Sequence, residues 1–392
     1  MNDKPVLHNI RILDFSWVLA GPYATRILAD FGAEVIKVQP LIPEADDIFA
    51  RGYYNTWNHN KRGITLNMNE AQGVALARKL VGISDAVVEN FAPRVMANWG
   101  LDYDNIRQIK PDIIMLSMSV MGNSGPWRDY AGFGPGVQAF SGMTHLSSYP
   151  GEPPSGLGHS YADHIAGLYA ALALLSALEY RHNTGEGQYI DVSQVEAMVS
   201  LLGDAFLEYG LTGKPPEPAG NRSANAAPHG VYRCRGKDRW CAIAVFSDRQ
   251  WLNFKKAIGN PAWAEDGKWA TVPGRLENTE ELDMMVEEWT SQHTAEEVMA
   301  LLQAQGVAAG VVQNAGDIAS DQQLRARGFF IELEHPELGK TVSDGNPIRL
   351  SRTPASYHRA APTAGQDNDY VYGELLDISE SELTELRRQG VI

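Results

Sequence analysis

Residues 11–38 read RILDFSWVLAGPYATRILADFGAEVIKV. A compact apolar run (10–16) leads into a stretch that opens with Gly-Pro and ends in Gly (20–32), and a second apolar run (33–39) follows. Proline in the first turn and glycine just past the end mark the two ends of a helix. Strand, helix and strand in that order predict two parallel strands joined by a crossover helix. The rhythm then repeats. Strands are predicted at 64–68, 85–91 and 112–119, and helices at 69–82, 93–100 and 103–111, the first of these helices capped by Asn69. Such alternation specifies an α/β fold whose parallel sheet is covered on both faces. Ligands of such folds collect where loops leave the carboxyl ends of the strands.

Residues 120–160 break the rhythm. They are rich in Gly, Pro, Ser and aromatic residues and predict loops that line a site. A long helix (162–182), a strand (189–193) and a further helix (194–211) follow. The Pro-rich, polar run from 214 reads as a linker. A hairpin (231–246), helices near 249–258 and 279–305, and a strand (306–313) then indicate a small α+β domain. Strand-like stretches and a charged helix near 379–389 close the chain.

The length of 392 residues suffices for two domains. Lys and Arg total 33 against 48 Asp and Glu, a formal charge of −15, which argues against nucleic acid and anionic membrane surfaces as partners. Cys234 and Cys241 make neither a disulfide framework nor a zinc spacing, so they read as reduced thiols of a cytoplasmic protein with no metal site. The start, MNDKPVLHNIRILDF, lacks a signal peptide's apolar core. The longest apolar run (165–180) is short for a bilayer span and rich in Ala, which predicts a buried core helix and no membrane partner.

The chemistry concentrates in GHSYADHIAG (158–167). GHSYA matches the hydrolase elbow G-x-S-x-G except at Ala162, but the elbow needs a strand before its serine. SYPGEPPSGL has two adjacent prolines and no β-branched residue, so Ser160 reads as a helix-start hydroxyl. Asp163 falls at the start of a helix whose next turns are small: Ala162, Ala166, Gly167, Ala170 and Ala171. One reading makes it a cap carboxylate that meets free N–H groups. The other makes it a nucleophile towards an activated acyl group. The small residues admit a bulky ligand, N–H groups keep the carboxylate ionised near neutral pH, and the Gly-rich loop 132–142 offers donors for an oxyanion. His159 and His164 lie five residues apart, not on one helical face, and read as hydrogen-bonding or surface groups rather than metal ligands. Neither GFGPG (132–136) nor SWVLAGPYA is a dinucleotide fingerprint, which excludes a nicotinamide or flavin dehydrogenase. HNKRG (59–63) reads as a solvated turn with two cations available to phosphates, and Asn90 ends a strand where ligands are expected.

Several stretches taken together resemble the family III CoA-transferases, which include formyl-CoA and carnitine CoA-transferases. They are residues 11–38, NKRGITLNM (60–68), DAVVENFAP (85–93), SGPW (124–127), Asp163 with Ala166-Gly167 and the Ala-rich helix, RHNTGEGQYIDVSQVEAM (181–198) and HGVYRC (229–234). The resemblance implies a large Rossmann-like domain built from both chain ends, a smaller α+β domain, and two subunits interlocked like chain links. Residues 1–213 are then the first part of the CoA-binding domain, 214–228 a linker, 229–325 the small domain and 326–392 the returning segment. The implied nucleophile is Asp163. The implied CoA contacts are Leu19 and Ala20, the strand Leu66, Asn67, Met68 and Asn69, and Asn90, Phe91 and Ala92. Tyr130, Phe133, Gly134, Gly136 and Phe140 are expected to line the substrate pocket, the two glycines beside the oxyanion.

The implied activity is transfer of CoA from an acyl-CoA donor, succinyl-CoA being one candidate, to an organic acid through an aspartyl anhydride and an aspartyl-CoA thioester. Coenzyme A is then a substrate, with no permanently bound cofactor, and the partner subunit is a second copy or a related chain. Leu19 replaces a glutamine of formyl-CoA transferases, and Pro40 and Asn98 stand where arginines contact CoA, which argues against an oxalate-like acid. The related α-methylacyl-CoA racemases carry a histidine at the position of Phe133, and phenylalanine cannot move a proton. A non-catalytic CoA-binding subunit is the remaining alternative, and it would have little need of Asp163.

Overall fold

Six short apolar strands pair side by side: β1 (Arg11–Asp14), β2 (Glu34–Gln39), β3 (Arg62–Thr65), β4 (Ala86–Glu89), β5 (Ile114–Ser117) and β6 (Tyr189–Asp191). They are parallel, in the order β3-β2-β1-β4-β5-β6. The structure, a computed structural model, describes residues 4–41 and 48–392. The helices of the first half are α1 (Ala20–Asp30), α2 (Ile48–Asn58), α3 (Ala71–Gly82), α4 (Arg94–Asn98) and α5 (Tyr103–Ile109). Next come α6 (Gly134–Phe140), α7 (Met143–Leu146), α8 (Tyr161–Thr184), α9 (Gln194–Val199) and α10 (Gly203–Thr212).

Alternate strand residues feed opposite faces of the sheet. Leu13, Ile36, Ile64, Val87 and Met115 join α3, α5 and the C-terminal residues Val371, Tyr372, Leu383 and Leu386 in one core. Ile12, Val35, Ala86, Val88, Ile114 and Leu116 join α1 and α8 in the other. The chain divides into two compact units. The first comprises Met1–Thr144, Gly156–Pro215 and Gln323–Ile392, and the second His145–Ser155 and Pro216–Gln322. The second holds an antiparallel sheet of β7 (His229–Arg233), β8 (Trp240–Ala244) and β9 (Ala308–Val311), with its own core around Trp251, Phe254, Trp269 and Leu302. A hairpin of β10 (Phe330–His335) and β11 (Gly339–Asp344) belongs to the first.

Small residues let α1 and α8 lie very close. A Cβ on Gly167 would stand 2.8 Å from the Ala20 carbonyl oxygen and 2.9 Å from Tyr23 Cδ1. Helix α8 is 24 residues long, with a mean hydropathy of 1.3 over an 18-residue stretch, longer than its apolar run suggested and sufficient by length and composition for a bilayer span. Its burial against α1, through Ala166, Ala170, Ala171 and Leu174, is what marks it as a core helix.

HNKRG is not a solvated turn. His59 and Lys61 are 1% and 0% exposed, because buried carboxylates require partners. Lys61 Nζ bonds Asp14 Oδ2 (3.1 Å), the Pro22 carbonyl (2.9 Å) and Asn58 Oδ1 (2.9 Å), while His59 Nε2 bonds Asp30 Oδ1 (2.8 Å). Lys37 also meets Asp14 Oδ1 at 3.4 Å. Burial alone would raise the Asp14 pKa, but Lys37, Lys61 and hydrogen bonds from Ser16 and Thr25 outweigh it and hold the carboxyl well below its ordinary range.

Other expectations shift by local chemistry. Glu70, not Asn69, occupies the cap position of α3, and the Asn69 N–H bonds Asn67 Oδ1 instead (3.1 Å). Strand β3 ends at Thr65, so Leu66–Asn69 follow the strand. The Gly-rich loop 132–142 is largely the helix α6, which leaves free N–H groups only in its first turn. The helix expected at 194–211 is interrupted by a 3₁₀ turn at Ser200–Leu202, and that at 279–305 is broken before Thr294, which caps a new helix with Glu297.

The contact at Gly167 sets a test. Gly→Ala in a helix normally stabilises by up to about 1 kcal/mol. Gly82→Ala at the exposed end of α3, with its nearest neighbour at 3.7 Å, should gain part of that. Gly167→Ala should instead lose roughly 1–3 kcal/mol through overpacking, read from urea denaturation midpoints.

Candidate active site

Ser160 occupies the cap position of α8, yet its side chain does not cap that helix. Its hydroxyl lies beside the carboxylate of Asp163, in the first turn, and favours its ionised form. Asp163 is 8% exposed, and its own backbone N–H and that of Ala20, the first residue of α1, also favour its ionised form. Helix α1 has no acid in its first turn and no side-chain cap from Leu19. One carboxylate thus answers the positive ends of two helices. Burial pushes the Asp163 pKa up; the Ser160 hydroxyl, the Asp163 N–H, the charge of His159 and the Ala20 N–H oppose it without cancelling it. Gly134 closes the third side. A Cβ there would fall 2.3 Å from Asp163 Oδ2 and 2.6 Å from Ser160 Oγ, so the position admits no side chain.

Aromatic rings flank this carboxylate. His164 donates from its Nδ1–H to the Ser160 carbonyl (2.8 Å), a contact that fixes Nδ1 as the protonated nitrogen of the neutral ring. Burial lowers its pKa, which favours that neutral form. Its ring meets Tyr23 and Trp57 edge-on, each at 5.1 Å, and stacks on His159 at 4.7 Å. Burial, with a further push from the charge of Asp163, drives the Tyr53 hydroxyl up to about 12. The hydrolase reading of Ser160 finds no strand before it, and the His164 imidazole bonds its carbonyl rather than its hydroxyl.

The crevice expected of this strand order lies between the loops that leave β1 and β4, where the order reverses. Trp17 N–H donates to Asn90 Oδ1 (2.9 Å), and Asn90 Nδ2 donates back to the Trp17 carbonyl (3.0 Å). Phe91 packs against Trp17 (6.2 Å) and Trp99 (5.6 Å), and Ala92 is exposed. Trp17, Asn90 and Phe91 are thereby brought together, while Leu19 and Ala20, further along the same turn, are buried. Between Trp17 and Leu19, Val18 has φ +61°, a left-handed conformation that costs a β-branched residue of order 1–3 kcal/mol. Beside Asn90, burial raises Glu89 to about 7 despite hydrogen bonds from Ser117 and the Phe91 N–H.

Leu66–Asn69 lie elsewhere on the sheet edge, two strands from β1. Leu66 is in the core, the Asn67 N–H and side chain bond the carbonyls of Val391 (2.8 Å) and Gly390 (3.1 Å), and Met68 packs on that core. Of the expected pocket residues, Gly134 touches the carboxylate, whereas nothing lies within 4 Å of a Cβ on Gly136. Tyr130, Phe133 and Phe140 expose half or more of their surface, and Tyr130 stacks on Trp127. The residues that sequence reasoning missed are Tyr53, Tyr23 and Trp57. Tyr53 and Trp57 were signalled only by the aromatic cluster YYNTW (53–57) before HNK, and Tyr23 by nothing beyond its place in AGPYA (20–24).

The sequence profile of CoA-transferase family III matches residues 7–368. The chain is 34% identical to succinyl-CoA–D-citramalate CoA-transferase of Chloroflexus aurantiacus, over 98% of both chains. It is 35% identical to the alpha subunit of succinyl-CoA–L-malate CoA-transferase of the same organism, over 98% of this chain and 92% of that one. A crystal structure of a CAIB/BAIF family protein from Brucella suis superposes with a TM-score of 0.87 at 30% identity, over 95% of this chain and all of that one. The chain belongs to CoA-transferase family III and is a CoA-transferase.

Two variants test the geometry. Gly134→Ala should cut CoA transfer by roughly 100-fold or more, with the far-UV circular dichroism retained, because the added methyl displaces the carboxylate. In Ser160→Ala the loss of the hydroxyl raises the Asp163 pKa further. The acid limb of kcat/KM, where protonation removes the carboxylate, should then move to higher pH; a limb that stays put contradicts the contact.

Proposed function

We propose that this chain moves CoA from an acyl-CoA, with succinyl-CoA the candidate donor, to the carboxylate of an organic acid, and that Asp163 carries the groups in transit. The observation that carries this reading is the buried Asp163 carboxylate, kept ionised in part by the Ser160 hydroxyl and the Ala20 N–H and left uncrowded by Gly134. A carboxylate short of solvating water and fixed in orientation is an activated nucleophile. Relatives named for succinyl-CoA support the donor.

In the proposed cycle an Asp163 oxygen attacks the thioester carbonyl, the C–S bond breaks, and CoA leaves as thiolate. The thiolate then attacks the aspartyl carbonyl of the mixed anhydride, releasing the donor acid and leaving an aspartyl-CoA thioester. The acceptor carboxylate attacks that thioester and again expels thiolate. Attack of the thiolate on the acceptor's carbonyl gives the new acyl-CoA and restores Asp163. No water or net proton is consumed, so the thioester's energy is kept. Coenzyme A would lie in the crevice between the Trp17–Ala20 and Asn90–Ala92 loops, as the strand order supports.

The working unit would be two subunits. One face of α8 exposes Leu168, Leu172 and Leu175, and α10 exposes Phe206, Leu207 and Leu211, the last at 78%. Apolar faces of this extent support burial against a second chain.

Trapping tests the reading. Incubation with succinyl-CoA, then hydroxylamine, should leave a hydroxamate on Asp163 by peptide mass mapping, and Asp163→Asn should lower turnover by roughly 10³-fold or more. An ester on Ser160, or full activity in Asp163→Asn, would overturn it.

A further inference from the structure

His159 stands at the mouth of the Asp163 site and has no task in the cycle above. Its backbone is fixed twice: Gln138 Nε2, on a side chain buried in the protein, donates to its carbonyl at 2.8 Å, and the Tyr161 N–H donates to the same oxygen at 2.8 Å. Its ring stacks on His164 with an interplanar angle of 29°, and His164 is itself wedged between Tyr23 and Trp57. The residue is exposed, and neither of its ring nitrogens makes a hydrogen bond among the described residues. A ring held in place with an N–H donor free of protein partners, within electrostatic reach of Asp163, is preorganised to receive an acceptor group.

The neighbouring cations are engaged. The Arg26 guanidinium lies over Tyr23 and Trp57 at 5.1 and 5.0 Å, but its terminal nitrogens bond Asp344 (3.1 and 2.9 Å) and the Thr56 carbonyl (2.9 Å). Lys61 is buried on Asp14. A monocarboxylic acid brings one carboxylate to Asp163, which the reaction consumes. A dicarboxylic acid brings a second, which stays anionic throughout and needs a donor nearby.

We propose that His159 recognises the far carboxylate of a short dicarboxylic acid, as acceptor and as the acyl group of the donor, and so sets the enzyme's preference for dicarboxylates over monocarboxylates. This rests on the reading of Asp163 as the transfer residue.

The test compares kcat/KM for succinate against butyrate and for glutarate against valerate, in wild type, His159→Gln and His159→Lys. The wild type should prefer each dicarboxylate. His159→Gln should lower that preference roughly tenfold or more, through KM rather than kcat, and His159→Lys should restore most of it. An unchanged ratio in His159→Gln, an equal loss for both acids of a pair, or refusal of both dicarboxylates by the wild type overturns the inference. Hydroxylamine trapping on the same samples separates the two readings. An Asp163 adduct with an unchanged ratio sinks the role of His159 alone, whereas absence of the adduct in wild type removes the transfer reading and this inference with it.

Discussion

Two helix N-termini converge on one carboxylate, and everything at the site follows from how closely α8 can lie on α1. Were Gly167 any larger, the Ala20 carbonyl and the Tyr23 ring would be pushed away. The Ala20 N–H, which α1 leaves uncapped, would then move away from the Asp163 carboxylate it helps to keep ionised. The contact works in both directions. For α1 the carboxylate is a negative charge near its uncapped start; for Asp163 the N–H is one of the groups that offset burial. A buried carboxylate that also served no helix would be hard to retain against its desolvation cost.

The turn that presents Ala20 is braced from beneath. Asp14 binds Ser16 and Thr25, and Lys61 links Asp14 to the Pro22 carbonyl, so the strand end, the turn and the helix start are bonded together. Gly21 is obligatory there, since a Cβ would fall 2.2 Å from Ser16 Cβ. The reciprocal pair of bonds between Trp17 and Asn90 secures the outer side. Val18 keeps its left-handed conformation only because both sides are held. Strain at the tip of a clamped turn, at the point where the strand order reverses, fits a segment built to meet a ligand.

The sheet was legible because residues 11–38 carry period, proline and glycine signals that agree with one another. Asp163 was legible as a helix-start carboxylate, and the small residues after it pointed to a close approach. The identity of what approaches was not, because Ala20 lies more than a hundred residues away and backbone N–H groups leave no trace in composition. HNKRG misled for a related reason. Charged residues read as solvated unless the buried acids that claim them, Asp14 and Asp30, can be seen. The glycines of 132–142 suggested a loop, whereas Gly134 is required by the Asp163 carboxylate and α6 starts there. Tyr23, Trp57 and His164 come from three helices and meet only in the folded chain.

The central claim is that the Asp163 carboxylate takes part covalently, exchanging oxygen with each acid it serves. The most direct measurement is isotopic. Turnover with an acceptor acid labelled in both carboxylate oxygens with ¹⁸O, followed by mass mapping, should show ¹⁸O in the peptide that contains Asp163, because the restored carboxylate keeps an oxygen from the acceptor. Formation of the product thioester with no label in that peptide would contradict the account.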